Sequence, residues 1–366
     1  MFTAFNGANG ANGANGANGA NGANGADGLA LVMVGGAVAR PMGYSPWPNE
    51  EEGGRLIWRG QSGPRVQKKP PALPTGNGAK LAADSATLKR RDFSEAYADH
   101  LAAVIAAFSP PTGRSFDSWT FENEAVVALG EFAGVSGWQL DKAAAPDSGN
   151  SYLDLARIHA AGLANVTAEL TTLVELMVFR DGVLGEALAQ RNGIIPYFQG
   201  LAGFTPAGRP KTTRLCTLGL VFGEFVVMHA KAVFQRPRPS ELWPELLPPI
   251  EVPGHAAFPS GHATEAHLIA RLLATVLPEK HPAIPLLVPM AHRIAINREV
   301  MGVHYRTDSE AGEKLAELAF GHAMRVAGWT AADDTVPGLI PGRAKRGAST
   351  ATVVAKLLDE ARKEWE

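Results

Sequence analysis

The chain has 366 residues, of which 46% are hydrophobic, and this is enough to form a sizeable globular core. Its 34 basic and 36 acidic side chains give a formal net charge of −2, which excludes a global positive field for nucleic acid or an anionic membrane surface. The single cysteine, Cys216, excludes an internal disulfide framework and a thiolate metal cluster, and we expect its thiol to be buried and inert.

The amino-terminal part of the chain lacks the pattern of a packed domain. Residues 6–26 repeat Asn-Gly-Ala, which has almost nothing to bury, so we predict a disordered arm over 1–28. A Pro- and Gly-rich stretch then predicts an irregular segment over 29–83. The apolar run LALVMVGGAVA has the length of a signal-peptide core, but no Lys or Arg precedes it. We therefore expect a cytoplasmic protein, with secretion or a periplasmic location as the alternative.

From residue 84 onward helical periodicity dominates, and strand patterns are scarce. We predict an all-α helical bundle over 84–330, followed by a linker and a carboxy-terminal helix within 331–366. The longest apolar stretch, residues 215–230, is too short for a bilayer and contains Glu224, so we expect a buried helix there and no membrane span.

The first motif with chemical content is KAVFQRPRP. Lys231 and Arg238 are seven residues apart, which places them on one helix face if the helix continues over two turns. Pro237 and Pro239 then end the helix beside these charges. The alternative is that both cations only favour the negative pole of the helix dipole.

The second motif is HAAFPSGHAT, which precedes an apolar helical pattern. Pro259 and Gly261 predict a tight turn, so Ser260, Gly261 and His262 lie at a helix amino terminus, where unpaired N–H groups attract an anion. The alternative is a serine cap beside a surface histidine.

The third motif is NREVMGVHYRTD. Arg298 offers a planar, always charged guanidinium that suits a tetrahedral oxyanion. Asp308 follows His304 by four residues, one turn if this stretch is helical, and its carboxylate can take the proton on one ring nitrogen while the other stays bare. Such an imidazole is a nucleophile or a metal ligand. An i,i+4 surface pair is the alternative.

Together, Lys-x6-Arg-Pro, Pro-Ser-Gly-His and Arg-x5-His-x3-Asp resemble the signature of the type-2 phosphatidic acid phosphatase and vanadium haloperoxidase superfamily. The resemblance covers residues 231–308 and implies an all-α bundle of the acid phosphatase/vanadium haloperoxidase type. One departure is Asn297, where the family usually has Ser before the arginine, and this puts a supporting hydrogen bond in doubt more than the site itself.

The resemblance also implies roles for individual residues. His304 attacks phosphorus in the phosphatases and binds vanadium in the haloperoxidases, His262 transfers protons, and Asp308 orients His304. The phosphate or vanadate oxygens are bound by Lys231, Arg238, Ser260, Gly261 and Arg298.

Signals outside this shared set favour the haloperoxidase branch. His255, seven residues before His262, occupies a position that resembles the extra histidine of algal bromoperoxidases, although a loop histidine is by default solvent-exposed. We therefore predict a vanadate-dependent enzyme that oxidises halide with hydrogen peroxide.

Two other functions stay open at this point. One is a soluble acid phosphatase that needs no cofactor and hydrolyses phosphomonoesters through a phosphohistidine, and the other is a catalytically silent oxyanion-binding protein. In each case the expected partner is a small molecule, not nucleic acid, and a homodimer is left open.

Overall fold

The computed structural model describes residues 50–52, 55–57, 121–134, 151–331, 344–345 and 352–366. The repeat arm over 1–28 lies outside these residues, and so do residues 84–120 at the start of the predicted bundle. In the described part of the chain the strands are two short antiparallel pairs, β1 (Glu50–Glu52) with β2 (Arg55–Ile57) and β3 (Thr330–Ala331) with β4 (Ala344–Lys345). Helices make up nearly all the rest, and the predicted all-α class is confirmed.

The helices are named in chain order. They are α1 (Phe121–Gly134), α2 (Ser151–Ala164), α3 (Val166–Leu176), α4 (Arg180–Asn192), α5 (Ile195–Ala202), α6 (Pro210–Phe234), α7 (Pro239–Leu242), α8 (Gly261–Val276), α9 (Ile284–Val300), α10 (Arg306–Val326) and α11 (Val353–Lys363). Short 3₁₀ turns cover Met177–Phe179 and Pro244–Leu246.

Helix α8 lies at the centre of the bundle. It packs against α6, α9 and α10, and all of its residues are buried, including His267 and Arg271. Ionisable side chains such as these are rarely buried without partners. A helix that is buried on every side is fixed in place by the helices around it. The residues at its amino terminus therefore have a fixed position.

Helix α6 is longer than the apolar stretch over residues 215–230. We had expected that stretch to be too short to span a membrane. The segment Pro210–Leu242, 33 residues, is long and apolar enough to cross a membrane, and 78% of its most apolar window is buried inside the structure. Two helices that meet at 77°, Asp154–Ala164 and Val166–Asn192, pass the same test only as a pair. The core helix of a globular protein has these properties too. Cys216 on α6 is buried, as predicted.

The carboxy-terminal helix is part of the bundle. Helix α11 packs against α6 and α1, and the Glu364 carboxylate accepts hydrogen bonds of 2.8 Å from the backbone N–H groups of Lys211 and Thr212. These N–H groups are at the amino terminus of α6, where a helix has no internal acceptors and where a negative charge is stabilising. The tail therefore fixes the start of α6, whose other end carries Lys231.

Candidate active site

The three predicted motifs converge in the structure. Lys231 is in the last turn of α6, Ser260 caps α8, Arg298 is in the last turn of α9, and His304 lies in the loop before α10. These side chains are all nearly inaccessible to solvent. Burying so many cations costs free energy unless anions or hydrogen-bond acceptors compensate, so the convergence itself indicates an anion site.

A close helix crossing brings the PSGH turn to the histidine and aspartate of the third motif. The backbone N–H of Ser260 donates to the carbonyl of Asp308 at 2.9 Å. A Cβ atom at Gly312 on α10 would lie 2.7 Å from both the Ala263 Cβ and the Ser260 carbonyl oxygen. Since real Cβ atoms do not approach other atoms this closely, the crossing requires glycine.

The surroundings of His304 determine its tautomer. Nδ1 lies 3.1 Å from Asp308 Oδ2, and Nε2 lies 3.0 Å from Arg238 Nη1. Because a guanidinium only donates, Nε2 must accept, and the ring proton is therefore on Nδ1, which donates to Asp308. Burial, with Arg238 next in importance, holds the pKa of His304 well below its usual value of 6.5. The ring is neutral, with its lone pair on Nε2.

Asp308 is held from three directions. Besides His304, its Oδ2 accepts from the Tyr305 N–H at 3.0 Å, and its Oδ1 accepts from Arg236 Nη1 at 2.8 Å. The sequence placed Asp308 one turn after His304 only if this stretch is helical. The helix does not include His304, because α10 begins at Arg306, so Asp308 lies in its first turn while His304 precedes it.

Arg236 is a residue whose importance the sequence did not indicate. It is fully buried, and Nη2 donates to Glu169 on α3 while Nη1 donates to Thr307 Oγ1 at 2.8 Å. Its guanidinium carbon lies 3.8 Å from the centre of the Tyr305 ring. Burial lowers the pKa of Arg236, but the negative charges of Asp308 and Glu169 raise it by more than burial lowers it. The pKa therefore lies above its usual value. Arg236 is thus a permanent cation that fixes Asp308.

The space for this ion pair depends on helix α2. A Cβ atom at Gly162 would overlap Thr307 Oγ1 and would lie 2.9 Å from Arg236 Nη1. Glycine at this position allows the backbone of α2 to approach the buried pair directly.

Arg238 reaches the site in a way that the sequence did not predict. Helix α6 ends at Phe234, because Gln235 adopts a left-handed conformation with φ of 52°, so Arg238 does not continue the helix face of Lys231. Arg238 instead donates from Nε to the His255 carbonyl at 3.0 Å and from Nη1 to the Val303 carbonyl at 2.7 Å.

Lys231 connects α6 to the loop before α8. Its Nζ donates to the carbonyl oxygens of Ala256, Ala257 and Pro259 at 2.6, 3.0 and 2.6 Å. Burial, followed by repulsion from Arg238, lowers the pKa of Lys231 well below 10.5. The ammonium group thus positions the loop that leads to the PSGH turn, and its proposed contact with an oxyanion stays a prediction.

His255 is buried, and the default expectation of a solvent-exposed loop histidine was wrong. Its Nδ1 lies 3.0 Å from Arg238 Nη2. Burial, with Lys231 next, lowers the pKa of His255 well below 6.5. His255 is therefore neutral, and its Nδ1 lies between the second guanidinium nitrogen of Arg238 and the Ala256 carbonyl, 3.1 Å away.

His262 and Arg298 lie against helix α4. His262 Nε2 is 3.3 Å from the Gln190 carbonyl, and Arg298 Nη2 donates to the Ala187 carbonyl at 2.6 Å. Arg298 Nε is buried and has no hydrogen-bond partner among the described residues. Burial lowers the pKa of Arg298 to about 10. Burial also lowers the pKa of His262 well below 6.5, and the positive charge of Arg298 is the next largest cause. Arg298 stays charged at neutral pH, and its proposed contact with an oxyanion stays a prediction.

These contacts define a cationic pocket around a neutral imidazole. Comparison with known proteins points to the superfamily that the three motifs resemble. Residues 213–331 match the model of the PAP2 superfamily.

The chain carries a PAP2 superfamily domain.

The matched segment of this PAP2 domain contains every site residue that the sequence predicted. A further match is to the decaprenylphosphoryl-5-phosphoribose phosphatase of Mycolicibacterium smegmatis (strain ATCC 700084 / mc(2)155), with 42% identity over 82 residues. This alignment covers 22% of the chain and 42% of the relative, so the chain matches less than half of the relative's length. A relative named as a phosphatase supports our phosphatase alternative better than the haloperoxidase prediction, which these comparisons do not confirm.

A helix outside the matched segment also contacts the candidate site. Gln190 on α4 accepts from Asn297 Nδ2 at 2.7 Å and donates to Glu186 Oε1 at 2.9 Å. Glu186 in turn pairs with Arg293 on α9. Asn297, the departure from the family pattern, thus makes a hydrogen bond to Gln190, which also contacts His262 and Arg298. The sequence analysis did not identify α4 as part of the site.

Proposed function

We propose that the protein is a phosphatase that hydrolyses phosphate monoesters through a phosphohistidine at His304. The observation that carries the proposal is the fixed tautomer of this residue. Asp308 holds the proton on Nδ1, and the lone pair of Nε2 faces the Arg238 guanidinium. A neutral imidazole whose Nε2 lone pair lies beside a cation is arranged to attack a phosphoryl group once that group has taken over the hydrogen bond of the cation.

The first step forms a bond between His304 Nε2 and phosphorus and breaks the bond from phosphorus to the ester oxygen. Arg238, Arg298 and Lys231 provide positive charge around the phosphoryl oxygens, where negative charge is held in the transition state. A bound phosphate would take the Arg238 hydrogen bond that Nε2 accepts in the free protein. Asp308 stabilises the positive charge that develops on the imidazole.

His262 is the proposed proton carrier. The Gln190 carbonyl can only accept, so Nε2 of His262 carries the proton of the neutral ring and Nδ1 is left to exchange a proton with the substrate. The substrate enters as its monoanion and passes its proton to Nδ1, because the phosphate dianion that remains favours the protonated form of this buried ring. His262 then donates to the leaving oxygen and afterwards takes a proton from the water that attacks the phosphohistidine.

The amino terminus of α8 completes the anion site. Ser260 is the cap residue, and the N–H groups of the first turn, which begins at Gly261, have no helical acceptors. These groups and the positive end of the helix dipole favour a phosphate at this position. The backbone therefore adds to the charge of the three cations.

For the substrate class we propose a phosphate ester of a small polar alcohol such as a pentose. The Mycolicibacterium smegmatis relative is named as a phosphatase of decaprenylphosphoryl-5-phosphoribose. The contacts described above select for the phosphate group alone, and ribose 5-phosphate is therefore a direct test of the pentose preference against a generic aryl phosphate.

The experiment compares hydrolysis of a chromogenic aryl phosphate and ribose 5-phosphate by the unmodified protein and by His304→Ala, without vanadate. We expect turnover to fall by about 10³-fold or more in the variant, because the nucleophile is lost. Acid-labile phosphate bound to the protein after rapid quenching should disappear in parallel. His281→Ala, a histidine beyond the far end of α8, is the control and should keep full activity. Unchanged turnover in His304→Ala would refute the proposal.

The haloperoxidase prediction has its own assay with vanadate, hydrogen peroxide, bromide and a halogen acceptor. The same residues fit vanadate, with His304 Nε2 as its protein ligand, and bound vanadate would supply activation of peroxide. Halide oxidation without any phosphate ester hydrolysis would replace the phosphatase proposal by this one. A protein that binds phosphate but turns over neither substrate would be the silent alternative.

A further inference from the structure

A second cluster of metal-binding side chains lies outside the candidate active site. His267 on α8, His292 on α9 and Glu313 on α10 each offer one donor atom, and these atoms lie within 4.8 Å of one another. His292 Nε2 is 3.2 Å from Glu313 Oε2, and His267 Nδ1 is 3.7 Å from Glu313 Oε1. A tetrahedral zinc ion with bonds of about 2.0–2.1 Å holds its ligands about 3.3 Å apart. The two contacts with Glu313, made by different carboxylate oxygens, lie on either side of this spacing.

The cluster faces a surface cleft of about 250 Å³. His267 is buried at 2% exposure, whereas the side chains of His292 and Glu313 are 50% and 40% exposed. An ion can therefore enter from solvent and keep a water molecule as a fourth ligand. Glu299, Ser309 and Glu310 line the same cleft and add oxygen atoms around the cluster.

We propose that His267, His292 and Glu313 bind a divalent transition-metal ion, with zinc as the best fit. Two imidazoles and one carboxylate are a donor set that zinc prefers, whereas magnesium and calcium prefer oxygen donors alone. An ion pair between His292 and Glu313 would account for two of the groups. It leaves unexplained why the buried ring of His267 also turns Nδ1 towards the same carboxylate.

The ion would join the three helices that carry the candidate active site. His267 is five residues after His262 on α8, His292 is six residues before Arg298 on α9, and Glu313 is five residues after Asp308 on α10. A metal at this position would restrain these helices relative to one another without touching the phosphate pocket. The proposal does not depend on the phosphatase function.

The test is calorimetric titration of the full chain, freed of metals by a chelator, with zinc chloride in a buffer without phosphate. We expect one ion per chain, with an affinity that falls by about 100-fold or more in His292→Ala and in Glu313→Gln, since loss of a ligand costs at least as much as loss of a supporting contact. Both residues are partly exposed, so the variants should fold, which circular dichroism verifies.

Two controls separate this cluster from other zinc sites. Glu317→Gln removes an exposed carboxylate one turn further along α10, and His304→Ala removes the histidine of the candidate active site. Both should bind zinc like the unmodified chain. Zinc affinity that is equal in His292→Ala, Glu313→Gln and the unmodified chain would overturn the proposal, as would the absence of zinc binding.

Cobalt gives an independent measurement on the unmodified chain. Co²⁺ in a site with two imidazoles and near-tetrahedral geometry produces visible absorption bands that octahedral Co²⁺ in water hardly shows. We expect these bands to appear with one equivalent of cobalt and to be lost in both ligand variants. A spectrum like that of aqueous cobalt would contradict the proposed site.

Discussion

The guanidinium of Arg238 donates a hydrogen bond to Nε2 of His304 across 3.0 Å. This contact places a permanent cation at the nitrogen that we propose as the nucleophile. A protonated His304 would face Arg238 with a positive N–H group, so the contact selects the neutral ring. The first two predictions below concern the groups that maintain this state.

Asp308 is a positioning residue in our proposal, and Asp308→Asn should separate its role from general stability. The variant keeps the shape but no longer fixes the proton on Nδ1, so we expect kcat for an aryl phosphate to fall by about 10²–10⁴-fold. Glu169→Gln removes the other carboxylate that pairs with Arg236 and should lower kcat by less than about tenfold. An equal loss of kcat in both variants, measured at matched stability, would mean that Asp308 acts only through the Arg236 ion pair.

The activity should depend on pH with a falling basic limb. Burial lowers the pKa of both His262 and His304 well below 6.5, so the free protein has both rings neutral at pH 7. The proton for the leaving group must then enter with the substrate, and phosphate monoesters lose their second proton near about pH 6. We expect kcat/KM to decrease about tenfold per pH unit above about pH 7. His262→Asn should flatten this limb, and a rate that stays constant up to pH 9 in the unmodified protein would contradict the assignment.

Stability should decrease as the pH falls below 6.5. The pKa is lowered by burial in His255, His262, His267 and His304. Below pH 6.5 the unfolded chain takes up protons that these folded rings refuse, and each ring reduces the free energy of unfolding by up to about 1.4 kcal/mol per pH unit. Glu299 has the opposite effect, because burial raises its pKa to about 7. Its carboxylate takes up a proton in the folded state before it does so in the unfolded chain, and this offsets the effect of about one histidine.

Urea denaturation at pH 7, 6 and 5 measures this dependence. Burial also raises the pKa of Glu131, so four histidines act against two glutamates, and we expect a net loss of at least about 1.4 kcal/mol between pH 6 and pH 5. The buffers should contain no phosphate, since a bound anion would stabilise the folded state. A free energy of unfolding that is constant or rises over this range would show that the four rings are not buried in their neutral form.

Gly312→Ala should separate the amino terminus of α8 from α10. The added methyl group would lie 2.7 Å from Ala263 Cβ and the Ser260 carbonyl oxygen, and we expect a loss of about 1–3 kcal/mol in stability together with a raised KM. Gly321→Ala on the same helix is the matched control, because its Cβ would meet nothing within 4 Å. That variant should gain about 0.5–1 kcal/mol. The prediction fails if thermal unfolding shows the two variants to be equally stable.

Part of the candidate site was readable in the sequence because its geometry is local. The turn at Pro259 and Gly261 forces Ser260 into a helix cap, and the side chains that neutralise a tetrahedral anion must be Lys, Arg or backbone N–H groups whatever the fold. The residue types in the three motifs therefore indicated an anion site before any contact was known. The all-α class followed in the same way from the helical periodicity after residue 84.

Other features depend on residues that are distant in the chain. Arg236 and Glu169 are 67 positions apart, and Gln190 and Asn297 are 107 positions apart. No local pattern tells which face of α3 or α4 will cover the site, so these contacts could not be predicted. The shared helix face of Lys231 and Arg238 was conditional on a helix that continues over two turns, and the left-handed conformation of Gln235, which ends α6 at Phe234, could not be read from the sequence.

The sequence by itself determined which chemical groups are present and where the anion-binding turn begins, since both follow from side-chain chemistry and from backbone preferences over a few residues. Only the tertiary structure decided that His304 is neutral, that Gly162 and Gly312 have no room for a Cβ atom, and that His267, His292 and Glu313 share one cleft. The physical reason is that burial and distance between helices are properties of the packed bundle, and they set both the pKa values and the space at each contact.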